Sequence, residues 1–293
     1  MKQNLYFDGA KKISVTALPN IVHGQDGAIF DGKIFRLDSK GNCQVQELQS
    51  CEILGAFRVD KADLIAPHSN AVCFGPDYYE AGDEFPLLYS NVYNNYSSKE
   101  DKREGICCVY RILREGDGFT SQLVQLIQVD FVNDTAYWYS EDRKDVRPYG
   151  NFVIDNAANS LYAYVMRDAS QKTRVFRFEL PAVTAGEVDA TYGVKIVKLT
   201  IADIQQQFDS EYSNYVQGGC CHNGIIYSVE GFTHPSPQLP KLRIFDANKQ
   251  THGMVVLFGD HGLTIEPEFI EVYDGKVYYS DNKGNFYLVE FED

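Results

Sequence analysis

Five short polar segments, spread along the whole chain, carry the residue types that bind ligands or take part in catalysis. Each begins with a polar or aromatic residue and continues with a small or kinked one, and most end with a second polar residue. Each stands just before an apolar stretch of the kind that forms a β-strand. The segments are His23-Gly24-Gln25-Asp26, His68-Ser69-Asn70, Tyr149-Gly150-Asn151, Gln217-Gly218-Gly219 and Glu266-Pro267-Glu268.

We interpret these segments as parts of one ligand site. Residues i and i+2 share a face of a strand, so both polar members of a segment point the same way. Convergent polar groups in a concave site are typical of ligand binding. The opposing interpretation is a solvated surface, in which Gly and Ser serve only close packing. We favour binding of a small polar molecule, such as a carbohydrate, by His23, Gln25, His68, Asn70, Tyr149, Asn151, Gln217, Glu266 and Glu268.

Glycoside cleavage is the first alternative. It requires two carboxyl groups flanking the scissile bond, about 5–5.5 Å apart for retention of configuration and about 6.5–9.5 Å apart for inversion. The segments offer three catalytic candidates, Asp26, Glu266 and Glu268. The separation of their carboxyl groups distinguishes an enzyme of this kind from a binding protein.

A divalent metal ion is the one cofactor that the segments suggest. Imidazole, amide and carboxylate groups ligate such ions. The metal-ligand candidates are His23, His68 and Glu268, with Gln25 and Asn70 as further oxygen donors. No HxH or HExxH spacing is present, so this hypothesis depends on the convergence of distant segments alone.

A repeated hairpin pattern accounts for how distant segments meet. Residues 30–37 (FDGKIFRL) closely match residues 273–280 (YDGKVYYS), and residues 222–229 (HNGIIYSV) follow the same template. Each match is a strand, a tight turn and a second strand, because Asp-Gly and Asn-Gly supply the positive φ that hairpin turns need. Further strands follow each hairpin, which gives four strands in each of four units and three in the last; in the third unit the fourth strand is residues 193–200 (GVKIVKLT).

This organisation resembles a five-bladed β-propeller, whose blades are four-stranded antiparallel sheets. The resemblance is one of architecture, spans nearly the whole chain and implies an all-β, single-domain fold over residues 1–293. It implies that the polar segments meet at one end of the central channel. A six-bladed ring that uses AYWYSED (136–142) and a pair of β-sandwiches are the alternatives. The five predicted blades lie at about residues 22–60, 67–132, 149–200, 216–259 and 266–293.

The resemblance also bears on catalysis and on ring closure. Five-bladed propellers that cleave glycans carry acidic residues on several blades, whereas three of the five segments here have none, which weakens the glycosidase hypothesis. The last unit lacks a strand, and residues 11–18 (KKISVTAL) form a strand with no neighbouring hairpin partner. We therefore predict that residues 11–18 complete the sheet of residues 266–291. Residues 200–208 (TIADIQQQF) begin with a pattern close to a capping box and predict a helix.

Composition excludes some classes of partner. The formal charge is −14, with 41 acidic and 27 basic residues, which disfavours nucleic acid and anionic membranes. No apolar stretch of about 18 residues predicts a transmembrane helix, and the N-terminus lacks the apolar region of a signal peptide. Seven cysteines without CxxC spacing are expected to be reduced, buried thiols, which favours the cytoplasm. A protein-interaction scaffold that uses the outer loops is the remaining alternative.

Overall fold

Tight turns build the hairpins that the repeat predicts. Asp31 and Gly32 both have positive φ, as do the Asn223-Gly224 and Asp274-Gly275 pairs at the matching positions. Positive φ at both central residues suits the turn to the right-handed twist of paired strands. The computed structural model describes residues 13–65, 67–92, 105–130, 149–166, 173–210, 216–257 and 261–291.

The first blade follows a separate N-terminal strand. That strand is β1 (Ile13–Leu18), and its pairing partner is the last strand of the described chain. Blade 1 is an antiparallel sheet in chain order, made of β2 (Gly27–Phe30), β3 (Lys33–Leu37), β4 (Asn42–Glu47) and β5 (Ile53–Arg58). A one-turn helix, α1 (Ala62–Ile65), leads to the second blade.

Blade 2 contains the longest strands of the described chain. Its four antiparallel strands are β6 (Val72–Phe74), β7 (Leu88–Val92), β8 (Ile106–Glu115) and β9 (Gly118–Val129). Blade 3 opens with β10 (Tyr149–Asp155), β11 (Ser160–Met166) and β12 (Thr173–Glu179). The segment that follows then returns to blade 2, where β13 (Glu187–Val188) pairs with β14 (Lys195–Leu199).

The return to blade 2 corrects one predicted strand assignment. We expected residues 193–200 to be the fourth strand of blade 3, but β14 runs parallel to β9 and covers its edge. The Gln125 side chain on β9 anchors this excursion by donating hydrogen bonds to the Ala182 and Ala185 carbonyls at 2.9 and 3.1 Å. A long exposed strand edge favours such cover, because its unpaired backbone groups otherwise attract other chains.

The predicted helix at residues 200–208 is also wrong. Its capping interaction exists, since the Thr200 backbone N–H and hydroxyl both donate to the Asp203 carboxylate, at 2.7 and 2.8 Å. Only a 3-10 turn, Ile201–Asp203, follows. The chain then forms β15 (Gln206–Ser210), which pairs with β12 as the fourth strand of blade 3. Pairing with an open sheet edge overrides the local helical pattern.

The last two blades follow the sequence template closely. Blade 4 consists of β16 (Val216–His222), β17 (Ile225–Glu230), β18 (Lys241–Asp246) and β19 (Thr251–Val256). Blade 5 consists of β20 (Pro267–Tyr273), β21 (Lys276–Asp281) and β22 (Phe286–Phe291), with β1 as its outer strand.

The five sheets form a closed ring, so the chain is an all-β, five-bladed β-propeller. The first strands of the blades contact one another in the cyclic order β2, β6, β10, β16, β20 and back to β2. The six-bladed alternative relied on residues 136–142, which lie outside the described residues. No helix within the described ranges is long and apolar enough to cross a bilayer.

Five apolar clusters hold the ring together, one at each interface between neighbouring blades. Phe35 packs with Phe74 and Phe119 between blades 1 and 2, whereas Ile34 points the other way and packs with Phe269 between blades 1 and 5. Successive strand residues point to opposite faces, so each blade supplies side chains to two clusters. The cysteines lie largely in this interior: all seven are free thiols, and all but Cys221 are buried.

Closure by the N-terminal strand is confirmed. β1 pairs antiparallel with β22 from Ile13 opposite Phe291 to Leu18 opposite Phe286. Ile13 is buried in the cluster between blades 4 and 5. The two ends of the described chain therefore lie in one sheet, and this pairing joins the first element to the last.

Deleting residues 1–18 should lower the melting temperature by several degrees relative to deletion of residues 1–12, which leaves β1 whole. Burial of Ile13 alone is worth about 2 kcal/mol, and the loss also exposes the edge of β22. Differential scanning calorimetry of both deletions measures the contribution of β1. Equal melting temperatures for the two deletions would contradict closure by this strand.

Candidate functional site

The Asp26 carboxylate lies at the end of the channel where the inner strands begin. Its Oδ2 accepts hydrogen bonds from the Val72 N–H at 3.1 Å and from the Gly219 N–H at 3.2 Å. Its backbone N–H donates to the Ser69 carbonyl at 3.2 Å. Asp26 precedes blade 1, Val72 lies in blade 2 and Gly219 in blade 4, so one side chain connects three blades across the channel.

The Asp26 side chain makes these hydrogen bonds without any exposure to solvent. Its exposed fraction is 0%. Burial raises the pKa of its carboxyl well above the usual value, although the backbone donors act in the opposite direction. A buried carboxyl of this kind holds its proton more strongly than one in water, so it adds less negative charge to the channel than its residue type implies.

A second contact joins the segments that are farthest apart in sequence. The Gln25 side-chain amide donates to Oε1 of Glu268 at 3.2 Å, across 243 residues. Gln25 precedes blade 1, whereas Glu268 lies at the start of β20 in blade 5. The ring therefore brings the first and last polar segments into direct contact.

A chain of amide and carboxylate contacts joins blades 2, 4 and 5. The Asn70 amide donates to the Gln217 side-chain oxygen at 3.3 Å, and the Gln217 amide donates to Oε1 of Glu266 at 2.6 Å. Oε2 of Glu266 accepts from the Asn282 amide at 3.0 Å. Glu266 is thus held on both oxygens by neutral donors, which orient its carboxylate without cancelling its charge.

Blade 3 joins the network through Asn151, the second polar residue of its segment. The Asn91 side-chain amide on β7 donates to the Asn151 side-chain oxygen on β10. Both side chains are buried. Asn91 also accepts a hydrogen bond from the Ala71 N–H at 2.9 Å, so it fixes the start of β6 as well. All five blades therefore supply polar side chains to this end of the channel.

Arg36 is a member of the site that the sequence analysis missed. Its Nη2 donates to the Gly24 and Asp281 carbonyls at 3.2 and 3.1 Å, and its guanidinium lies 5.2 Å from the centre of the Phe269 ring. Burial lowers its pKa to about 10, although the nearby carboxyls of Asp26 and Glu268 favour its charge. Counting paired positions outward from the hairpin turn could have found it, because this count places Arg36 on β3 opposite Gly27 on β2.

Two neighbouring carboxyl groups, Glu266 and Glu268, hold their protons more strongly than usual. Burial, and then the charge of Glu266, raise the pKa of Glu268 well above its ordinary value. Glu268 is 3% exposed. Burial also raises the pKa of the half-buried Glu266. The site therefore pairs a more buried carboxyl, Glu268, with a more accessible one.

Several buried polar atoms around this end make no hydrogen bond within the described part of the chain. They are Oδ1 of Asp26, Oδ1 of Asn70, Nδ2 of Asn151 and Oε2 of Glu268, with Nε and Nη1 of Arg36. Buried polar atoms in native proteins are nearly always paired. Four blades contribute to this group, which combines acceptors, an amide donor and a cation.

The remaining predicted site residues are His23, His68 and Tyr149. His23 is exposed, and burial lowers the pKa of the half-buried His68. Tyr149 begins β10, but its side chain lies outside the description. Among the described residues, no three His, Cys, Asp or Glu side chains are arranged to hold a metal ion. The metal hypothesis for His23, His68 and Glu268 therefore gains no support from the geometry.

The channel has a second concave region where the inner strands end. This cavity has a volume of about 500 Å³ and is lined by residues of all five blades, including Cys73, Asp155, Cys220 and Glu271. The Glu271 carboxyl accepts hydrogen bonds from the Val272 N–H at 2.8 Å, from the Ile29 N–H and from the Cys220 thiol. Burial nevertheless raises the pKa of Glu271 to about 8.

Large exposed apolar side chains lie on separate elements of the described chain. Ile53 and Leu54 are on β5, Leu64 is on α1 and Val188 is on β13. Single exposed apolar residues are normal on protein surfaces, whereas binding sites for proteins are usually contiguous patches. The hypothesis of a protein-interaction scaffold therefore stays a prediction.

Comparison with known proteins identifies the architecture but no family. No protein-family model and no curated protein sequence matches the chain. Among solved structures, Myxococcus xanthus glutaminyl cyclase is similar with a TM-score of 0.51 and 11% identity, over 95% of this chain and 97% of that one. A Thermus thermophilus protein described as a glucose dehydrogenase gives a TM-score of 0.44 at 8% identity, over 96% and 100%. The likeness to glutaminyl cyclase, at 11% identity, shows a shared fold only.

Replacing Asp26 by Ala should lower the free energy of unfolding by about 2–6 kcal/mol, because two buried N–H groups lose their acceptor and each such loss costs about 1–3 kcal/mol. Asp26→Asn is the matched control, since its amide oxygen can accept from both donors. Urea unfolding of the two variants measures the difference. Equal stability of both variants and the wild type would contradict the bridging role.

Glu271 should make the protein less stable as the pH rises. A carboxyl whose pKa is higher in the folded than in the unfolded chain favours folding below about pH 4.5, and this contribution is lost as the pH approaches about 8. Glu271→Gln cannot ionise, so the stability difference between wild type and variant should shift in favour of the variant across that interval. Urea unfolding at a series of pH values measures it, and a pH-independent difference would contradict the assignment.

Proposed function

We propose that the protein binds a small, neutral, hydroxyl-rich molecule at the polar end of the channel, with a carbohydrate as the most suitable class. The observation that carries this proposal is the set of buried polar atoms that make no hydrogen bond to the described residues, contributed by Asp26, Asn70, Asn151 and Glu268. A buried polar atom left unpaired costs about 1–3 kcal/mol, so a ligand that pairs several of them gains affinity from each.

The chemistry of these atoms supports a neutral ligand. Oδ1 of Asn70 accepts hydrogen bonds, Nδ2 of Asn151 donates them, and a carboxyl group such as that of Glu268 does both when it carries its proton. A hydroxyl group also donates and accepts, so a polyol or sugar can satisfy all three. An anionic ligand is disfavoured because the guanidinium of Arg36 already faces the carboxyl groups of Asp26 and Glu268.

The contacts inside the network support preorganisation. Gln25 holds one oxygen of Glu268, Gln217 holds Asn70, and Asn91 holds Asn151. Each of these side chains is therefore oriented before a ligand arrives. A site that does not reorganise on binding loses less conformational entropy and binds more tightly.

Glycoside cleavage is the second candidate, and Glu268 is the observation that favours it. A general acid must hold its proton near neutral pH, and burial raises the pKa of Glu268 in the direction that this role needs. Glu266, which is more accessible, is the matching base or nucleophile candidate. Both candidates use the same end of the channel, so one set of variants tests them together.

Isothermal titration calorimetry with a panel of neutral mono- and disaccharides tests the binding proposal, with glucuronate as the anionic comparison. We expect at least one neutral sugar to bind and glucuronate to bind more weakly. Glu268→Gln should weaken that binding about tenfold, which corresponds to about 1.4 kcal/mol for the lost carboxyl contact. Glu187→Gln, an exposed glutamate on β13, is the control and should change nothing. Failure of every neutral sugar to bind wild-type protein would overturn the proposal.

Release of reducing ends from an oligosaccharide panel separates the enzyme from the binding protein. If the protein cleaves glycosides, Glu268→Gln should abolish turnover, because an amide cannot replace a general acid. If it only binds them, the wild type shows no turnover, and only the affinity changes in the variant.

A further inference from the structure

The cavity where the inner strands end is separate from the polar network at their beginnings. Its walls are formed by the last residues of β2, β6, β10, β16 and β20 and by the turns that follow them. The Asp26 carboxylate, which bridges three blades, lies at the opposite end of these strands. The channel therefore presents two chemically different sites at its two ends.

The lining of this cavity is apolar with an acidic component. Apolar side chains form much of the wall, among them Ile29, Phe30, Phe74, Pro86 and Val272. The carboxyl groups are Asp155, Glu271 and Asp274, whereas the lining contains no Lys or Arg among the residues that the structure describes. A positively charged ligand is therefore favoured over an anionic one, and the apolar wall favours an organic ligand over a bare ion.

Glu271 is positioned to receive such a charge. Two backbone N–H groups and the Cys220 thiol donate to its carboxyl, which fixes its direction without supplying a compensating full charge. The other titratable groups of the cavity are Asp155, Asp274, His222, the Tyr273 hydroxyl and the thiols Cys73 and Cys221. None of these carries a fixed positive charge.

We propose that this cavity binds a small organic ammonium ion, with the charged nitrogen at Glu271 and the apolar body against Phe30 and Phe74. The site is independent of the proposed sugar site. Buried charges are stable when they are paired, so the ammonium ion and the ionised Glu271 carboxylate stabilise each other. At neutral pH the carboxyl largely holds its proton, so binding of the cation releases that proton to solvent.

The probe is benzylammonium chloride, and benzyl alcohol is its neutral counterpart of nearly the same shape. Calorimetric titration of the wild-type protein at pH 7 should show at least about tenfold tighter binding of the cation, which corresponds to about 1.4 kcal/mol. Titration in two buffers with different ionisation enthalpies should show proton release for the cation only. Equal affinities for the two probes, or no binding of the cation, would overturn the proposal.

Two variants and a control locate the site. Glu271→Gln should abolish the preference for the cation and its proton release, while benzyl alcohol still binds. Ala157→Phe, at an exposed turn position in the lining, should block both probes. Glu187→Gln should leave the binding of both probes unchanged, and unaltered melting temperatures confirm that the variants fold. Retention of the cation preference in Glu271→Gln would place the binding elsewhere and contradict the proposal.

Discussion

The Asp26 carboxylate is the contact on which the polar end of the channel depends, because it holds backbone N–H groups of blades 2 and 4 against the start of blade 1. It can reach Gly219 only where blade 4 lies very close to the channel axis. Gly218, beside Gly219, makes that approach possible: a Cβ at this position would lie 2.7 Å from the Glu268 carbonyl oxygen. The small residues of the polar segments thus serve packing, while the polar residues between them serve the site.

The same constraint explains why the polar segments recur before strands of every blade. A closed propeller buries both faces of every blade against the neighbouring blades. Only the two ends of the channel are then left for polar chemistry. The strand beginnings carry amides and carboxyls that bind one another across blade boundaries, such as Gln25 with Glu268. The strand ends carry an apolar wall with three carboxyl groups, Asp155, Glu271 and Asp274. One architecture therefore separates two kinds of site.

Hairpins and polar segments could be predicted from the sequence because each is determined by residues that are neighbours in the chain. Asp31-Gly32 and Asn223-Gly224 indicate hairpin turns directly. The closure of the ring by β1 could be predicted because the last unit has one strand fewer than the others. The site member Arg36 was missed because its role depends on the neighbouring blade, where Phe269 and Asp281 lie. The strand at residues 195–199 was assigned to the wrong blade for the same reason: its pairing with β9 involves a distant edge rather than a local pattern. No sequence pattern indicated Glu271, because its raised pKa results from burial in the folded chain.

The central claim is that distant polar segments form one connected network at one end of the channel. A double-mutant cycle with Gln25→Ala and Glu268→Ala tests it most directly, because these residues are 243 positions apart and interact only if the ring closes as described. Urea unfolding of the wild type, both single variants and the double variant gives the coupling free energy. The structure predicts coupling of about 0.5–3 kcal/mol, as found for residues in contact. Additive effects, within about 0.3 kcal/mol, would contradict it.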